Sequence, residues 1–88
     1  MKFSFDYNIN YNAEVTPVTV HCTCTLSDIG TLTIKKIERR GVNLTDILNE
    51  CYAPKLVDAI YEEAEKEAIG YAHDAGVDMK ITVKELAD

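Results

Sequence analysis

The stretch FSFDYNINY, residues 3–11, alternates without interruption. Phe3, Phe5, Tyr7, Ile9 and Tyr11 occupy the odd positions, and Ser4, Asp6, Asn8 and Asn10 the even ones. Successive side chains of a β-strand point to opposite faces, so this run predicts a strand with one oily face and one wet face. Such a strand cannot stand alone. The rest of the chain must supply neighbouring strands and a layer that covers the oily side.

Two further runs repeat the pattern. Val18, Val20, Cys22, Cys24 and Leu26 share one row, and Thr19, His21, Thr23 and Thr25 the other. The segment NAEVTP, residues 12–17, separates this run from the first and reads as a connection, because Pro17 cannot donate a ladder hydrogen bond. SDIG, residues 27–30, has turn chemistry. Beyond it Leu32 and Ile34 point inward while Thr31, Thr33 and Lys35 point outward; Ile37 breaks the parity, as a bulge or a strand end would. Short turns between these runs demand antiparallel neighbours, hence a three-stranded meander.

The second half changes period. Gly41 permits a sharp turn in ERRGVNLTDILNE, and Asn43 or Thr45 could cap a helix starting near Asp46 with Ile47, Leu48 and Cys51 buried. Pro54 suits the first position of another helix. From there to about Asp74, Leu56, Val57, Ile60, Tyr61, Ala64, Ala68, Tyr71, Ala72 and Ala75 form one stripe, opposite Asp58, Glu62, Glu65, Lys66 and His73. Gly76 is placed to close the helix in the left-handed conformation. Val77, Met79, Ile81 and Val83 then alternate with polar residues and suggest a fourth, shorter strand over 77–83. The expected fold is α+β. A three- to four-stranded antiparallel sheet, an N-terminal meander, is covered on one face by a long C-terminal amphipathic helix, in β-β-β-α-α-β order. Its 88 residues make a single domain, 1–88.

A charged fraction of 27% against 47% hydrophobic residues belongs to a folded chain rather than a disordered one. No apolar run approaches the roughly 18 residues of a membrane span, and residues 1–11 lack a continuous signal-peptide core, so a cytoplasmic location is expected. An odd number of cysteines, three, fits reduced thiols better than a disulfide framework. The net charge of −6 is uneven, at +1 over residues 1–44 and −7 over 45–88, which disfavours a general nucleic-acid or membrane-surface role.

Three segments could carry chemistry. HCTC, residues 21–24, crowds reactive side chains, but structural zinc wants converging pairs such as C-x₂₋₄-C, and parity turns His21 away from both thiols. Cys22 and Cys24 therefore read as small hydrophobes in a strand. A metal protein built on Cys22, Cys24, Cys51 and one histidine is the competing reading, and no metal or other cofactor is expected. KKIERR, residues 35–40, offers Arg39 and Arg40 for a phosphate or an acidic partner, or merely a solvated strand end that discourages aggregation. EEAEKEA, residues 62–68, presents Glu62 and Glu65, with Asp58 one turn earlier; these form a solubility face, a protein contact, or an imitation of a phosphate array. Ile69 projects from that polar face and could mark a contact with a partner or a second copy. Phosphate-binding loops, dinucleotide fingerprints and nucleophile elbows do not occur, so no catalytic residue is assigned and no enzymatic activity is expected.

The order of parts, with LTIKKIERRGVNLTDIL followed by LVDAIYEEA, resembles small uncharacterised proteins of tailed bacteriophages. In those a strand leads through a G-V/I-x-I/L-T-D-x-L turn into an acidic helix. The likeness covers roughly Thr31 to Ala64, and Gly41, Val42, Leu44, Thr45 and Leu48 match the motif, whereas HCTC and VDMKITV fall outside it. The resemblance implies a mobile-element origin and a protein-binding role, and it transfers no catalytic residue. The expected function is thus a non-enzymatic interaction protein, a modulator or inhibitor of a host or phage protein. Its contact is the acidic helix face (Asp58, Glu62, Glu65, Ile69) or the sheet edge, with homodimerisation as a further use of these surfaces. The alternative is a nucleic-acid-directed module, either a DNA mimic through the helix or a weak binder through Arg39 and Arg40.

Overall fold

Period-two patterning builds the N-terminal half. The computed structural model describes residues 1–11, 13–45 and 54–86. Strand β1, Lys2–Tyr11, pairs antiparallel with β2, Glu14–Cys24, in continuous register from Lys2 opposite Thr23 to Tyr11 opposite Glu14. The connection is shorter than the composition of NAEVTP suggests. Only positions 12 and 13 separate the strands, Ala13 has a φ of 62°, and Pro17 lies inside β2 opposite Asn8. Proline is tolerated there because β2 pairs with the next strand only from Thr19 onward. One side of position 17 has no ladder partner to lose.

Strand β3, Ile29–Arg39, pairs antiparallel with β2, and the register slips between His21 and Cys22: His21 faces Lys36 while Cys22 faces Ile34. Lys35 is the extra residue. This bulge returns Ile37 to the side already occupied by Leu32 and Ile34, and all three are fully buried. A hairpin turn at Arg40 and Gly41, with φ of 50° and 81°, leads into the two-residue β4, Val42–Asn43. Positive φ at both central positions is the geometry that matches strand twist. Thr45 then folds back, its hydroxyl accepting the Ile37 N–H at 2.9 Å, while Asn43 Oδ1 accepts the Thr45 N–H at 2.9 Å.

Helix α1, Pro54–Asp74, follows the expected bounds. Ile60, Ala64, Ala68 and Ala72, each one turn apart, have no exposed surface, so an alanine row seats the helix backbone close to the sheet. Its end is a Schellman closure: Val77 N–H reaches Ala72 O at 2.8 Å, Gly76 N–H reaches His73 O at 2.9 Å, and Gly76 takes a φ of 80°. Strand β5, Lys80–Leu86, then pairs with β3 in parallel, from Ile29 opposite Lys80 to Ile34 opposite Leu86. The α+β class and the antiparallel meander are as expected, but the last strand is not antiparallel. The reason is that α1 both covers the sheet and carries the chain back across it, the crossover that parallel neighbours require. The shorter helix expected from Asp46, with Ile47, Leu48 and Cys51, falls outside the described residues.

Three large apolar residues expected inside are exposed. Strand β2 ends at Cys24, which leaves Leu26 in the connection; Tyr71 lies at the margin of the helix stripe against Phe3; and a register slip between Gly30 and Thr31 turns Val83 to the outer side. Gly30 itself is required for space, since a Cβ there would stand 2.8 Å from Met79 Sδ and 3.2 Å from the Thr25 carbonyl oxygen. Gly30→Ala should cost about 1–3 kcal/mol by overpacking in urea unfolding, and combining it with Met79→Ala should cost less than the sum of the two single losses.

Candidate functional site

Antiparallel register decides which polar side chains meet on the outer face of the sheet. Ser4 on β1 stands opposite His21 on β2, and His21 stands opposite Lys36 on β3. Ser4 Oγ lies 2.7 Å from His21 Nδ1, His21 Nε2 lies 2.8 Å from Glu38 Oε1, and Lys36 Nζ lies 2.9 Å from Glu38 Oε2. A carboxylate only accepts, so Nε2–H donates to Glu38, and in the neutral ring Nδ1 accepts the Ser4 hydroxyl. The Lys36 ammonium, and after it the imidazole, hold the Glu38 carboxyl below the usual range. Beside this row, Thr19 donates its hydroxyl to Asp6 at 2.9 Å.

Serine, histidine and carboxylate in this order also make up an activated nucleophile. Acyl transfer further needs donors aimed where an oxyanion would form. Backbone N–H groups of a strand lie in the plane of the sheet and not above it, so the chain of bonds acts here as a cross-strand brace. Next to it is an open depression of about 400 Å³, whose polar lining is Lys2, Ser4, His21, Thr23 and Lys35.

The thiols lie on the other side of the sheet. Cys22 and Cys24 are both free and buried. The Cys24 thiol is within 3.4 Å of its neighbour's carbonyl, Thr25 O, and 3.8 Å from Met79 Sδ. Desolvation, reinforced by Cys24, pushes the Cys22 thiol up to about 12, and burial raises Cys24 as well. His21 faces away from both sulfurs. Among the described residues no cluster of three or more histidine, cysteine or carboxylate side chains is arranged to hold a metal ion, and Cys51 lies outside them.

The residues chosen from sequence are scattered. Asp58, Glu62 and Ile69 are exposed on α1, with Ile69 at 39%. Glu65 is half-buried and bound to Lys84 of β5 at 3.0 Å, so it fastens the helix to the sheet instead of standing free. Arg39 is half-buried and Arg40 exposed at the β3–β4 turn, far along the chain from the helix face. Of the phage-type motif, Gly41 and Val42 shape that hairpin, Leu44 and Thr45 are buried beside it, and Leu48 is outside the described residues.

One feature of α1 had no counterpart in the sequence reading. Gly70 sits in the helix interior on its exposed side, and nothing lies within 4 Å of where its Cβ would be. Around it Lys66, Glu67, Tyr71 and Asp74 line a shallow depression of about 340 Å³, with Ile69 adjacent in sequence. Glycine at an internal helix position costs roughly 1 kcal/mol relative to alanine, which is the signal that could have drawn attention to it. Among the described residues no helix is long and apolar enough to cross a membrane.

Comparison with protein-family models, with curated proteins and with solved structures finds no match. The burial of the thiols makes a direct prediction. Iodoacetamide at pH 8 should leave Cys22 and Cys24 unmodified in the folded protein and alkylate both on unfolding, as read by peptide mass mapping. Because the folded Cys22 thiol stays protonated up to about 12, against an ordinary 9.0, its contribution to stability is complete below pH 9 and is lost as pH rises toward 12. The slope should approach 1.4 kcal/mol per pH unit, roughly, and Cys22→Ala should remove that share of it.

Proposed function

We propose that this chain is a non-enzymatic interaction protein that receives a basic segment of a protein partner on the outer face of α1. The observation that carries the reading is the notch at Gly70. A helix that keeps glycine on its exposed side, with no internal contact to explain it, leaves room for another backbone or a flat side chain to approach. The rim fits one class of occupant. Helix α1 holds six carboxylates against two lysines, and Glu67 and Asp74 border the notch against the single cation Lys66, while Tyr71 and Ile69 offer apolar surface. Lysine and arginine side chains combine the charge and the apolar stem that such a rim takes.

The alternative surfaces have less to support them. The outer rows of β1 and β5 carry charge (Lys2 and Asp6, Lys80 and Glu85), which discourages strand addition at either edge of the sheet. The likeness of the Thr31–Ala64 stretch to small phage proteins makes a host or phage protein the natural partner, and two buried free thiols support a cytoplasmic site of action.

A short peptide rich in arginine and lysine is a sufficient probe. Its addition should shift amide resonances of residues 62–74, and the triple variant Glu62→Lys, Glu67→Lys, Asp74→Lys should abolish the effect. Gly70→Ala separates a seat from mere attraction of opposite charges. It should stabilise the fold by about 0.5–1 kcal/mol yet weaken peptide binding several-fold. Binding untouched by Gly70→Ala, or lost with Arg39→Glu and Arg40→Glu but retained by the helix variant, would sink the proposal.

A further inference from the structure

The depression on the opposite side of the molecule has a composition unlike the rest of the chain. Fifteen acidic residues outnumber nine basic ones overall, yet the depression, floored by Phe3 and Cys22, has Lys2, Lys35, two hydroxyls and an imidazole as its polar lining and no carboxylate. The bulge produces this arrangement. Two successive strand residues normally point to opposite faces, so of Lys35 and Lys36 only one would reach the outer face. The slip at His21/Cys22 frees Lys35 from the ladder, and it lines the same outer depression while Lys36 is used to neutralise Glu38. The two carboxylates on this part of the face are thus already engaged, Glu38 by Lys36 and His21, and Asp6 by Thr19. Among the described residues Lys2 and Lys35 have no carboxylate within 4.0 Å.

We infer that this depression binds the phosphoryl group of a small phosphate-bearing ligand, held between the Lys2 and Lys35 ammonium groups with Thr23 as hydroxyl donor, the Ser4 hydroxyl being already given to His21 Nδ1. Adjacent strands are about 4.8 Å apart, so the β1 and β3 backbones that carry the two lysines are separated by roughly 10 Å. A dianion with oxygens on several sides can meet both ammonium groups and a hydroxyl between them, whereas a planar carboxylate presents two oxygens on one side only. Thr23 stands opposite Lys2 in the β1–β2 register, which sets a hydroxyl beside that lysine on the side toward β3; Ser4 and His21 form the next outward-facing rung. The site is independent of the notch at Gly70, since it uses other residues on the opposite layer.

Titration with inorganic phosphate, followed by amide resonances, tests this. Saturable shifts are expected at Lys2, Ser4, His21, Thr23 and Lys35. Lys2→Ala and Lys35→Ala should each weaken binding roughly ten-fold, as the loss of one charge-assisted hydrogen bond implies, and Lys66→Ala on the helix should leave it unchanged. Thermal unfolding of each variant establishes that the fold is retained. Phosphoserine binding at the same residues would indicate a phosphorylated side chain as the source, and phosphate alone a free metabolite; either outcome supports the site. Acetate binding as tightly as phosphate, shifts spread over all exposed lysines, or affinity unaltered in Lys2→Ala and Lys35→Ala would overturn it. So would a short DNA duplex that binds through Arg39 and Arg40 while phosphate does not bind.

Discussion

The bulge at Lys35 is the constraint on which both faces of the sheet depend. With regular alternation from Leu32 and Ile34, position 37 would face water and position 36 the helix. One extra residue in β3 reverses this, so that Ile37 is buried in the core and Lys36 reaches Glu38 outside. The exchange is large. Burying an isoleucine contributes on the order of 2–3 kcal/mol, whereas an unpaired lysine in the core would cost several. The slip is therefore strongly specified by the residues that follow it and is not an accident of the ladder.

Strand β3 is also the strand that binds the two halves of the chain together. It pairs antiparallel with β2 along one side; on its other side β5 lies parallel over Ile29–Ile34 and β4 antiparallel over Glu38–Arg39. The parallel pairing requires α1 to return the chain across the inner face, and the alanine row from Ala64 to Ala72 lets it do so at close range. Gly30 meets the same demand at the far end, where Met79 and Ile81 press against β3 and leave no space for a side chain. Small residues at facing positions of the two layers are what allow one helix to serve as both crossover and cover.

Much of this was legible from residue parity. The buried rows of the first three strands, the inward-facing thiols, the bounds of α1 and the left-handed Gly76 all follow from period, polarity and helix-end chemistry, and Ile37 flagged the bulge by breaking the pattern. What was missed depends on register, which single-strand parity does not contain. Reading NAEVTP as a loop because of Pro17 hid the two-residue hairpin, and with it the pairing of Ser4 with His21. Had the turn been placed at positions 12 and 13, that pairing would have followed by counting outward. Val83 and Leu26 escaped for a similar reason, since a second register slip and an early strand end change which face a residue occupies without any mark in the local composition. Glu65 looked like its neighbours on the helix face, and only the position of Lys84 on the parallel strand distinguishes it.

The two surfaces carry opposite charge, and the geometry lets them coexist. A chain at −6 repels anions at long range, which weighs against the proposed phosphate site. The repulsion is screened over about 8 Å at physiological ionic strength. The carboxylates on the outer side of α1 are separated from the outer face of the sheet by the thickness of the helix, itself about 10 Å, and by the sheet. Lys2 and Lys35 therefore sense mainly their own surroundings, where Lys36, His21 and Thr19 have already engaged the nearby carboxylates. Net charge would then act on the rate at which an anion arrives more than on how firmly it is held, because the contacts proposed to hold it lie well inside one screening length. A layered fold only one helix and one sheet thick would be enough to separate the proposed basic-partner surface from the proposed anion surface, since Glu38 and Asp6, the carboxylates beside the depression, have partners of their own.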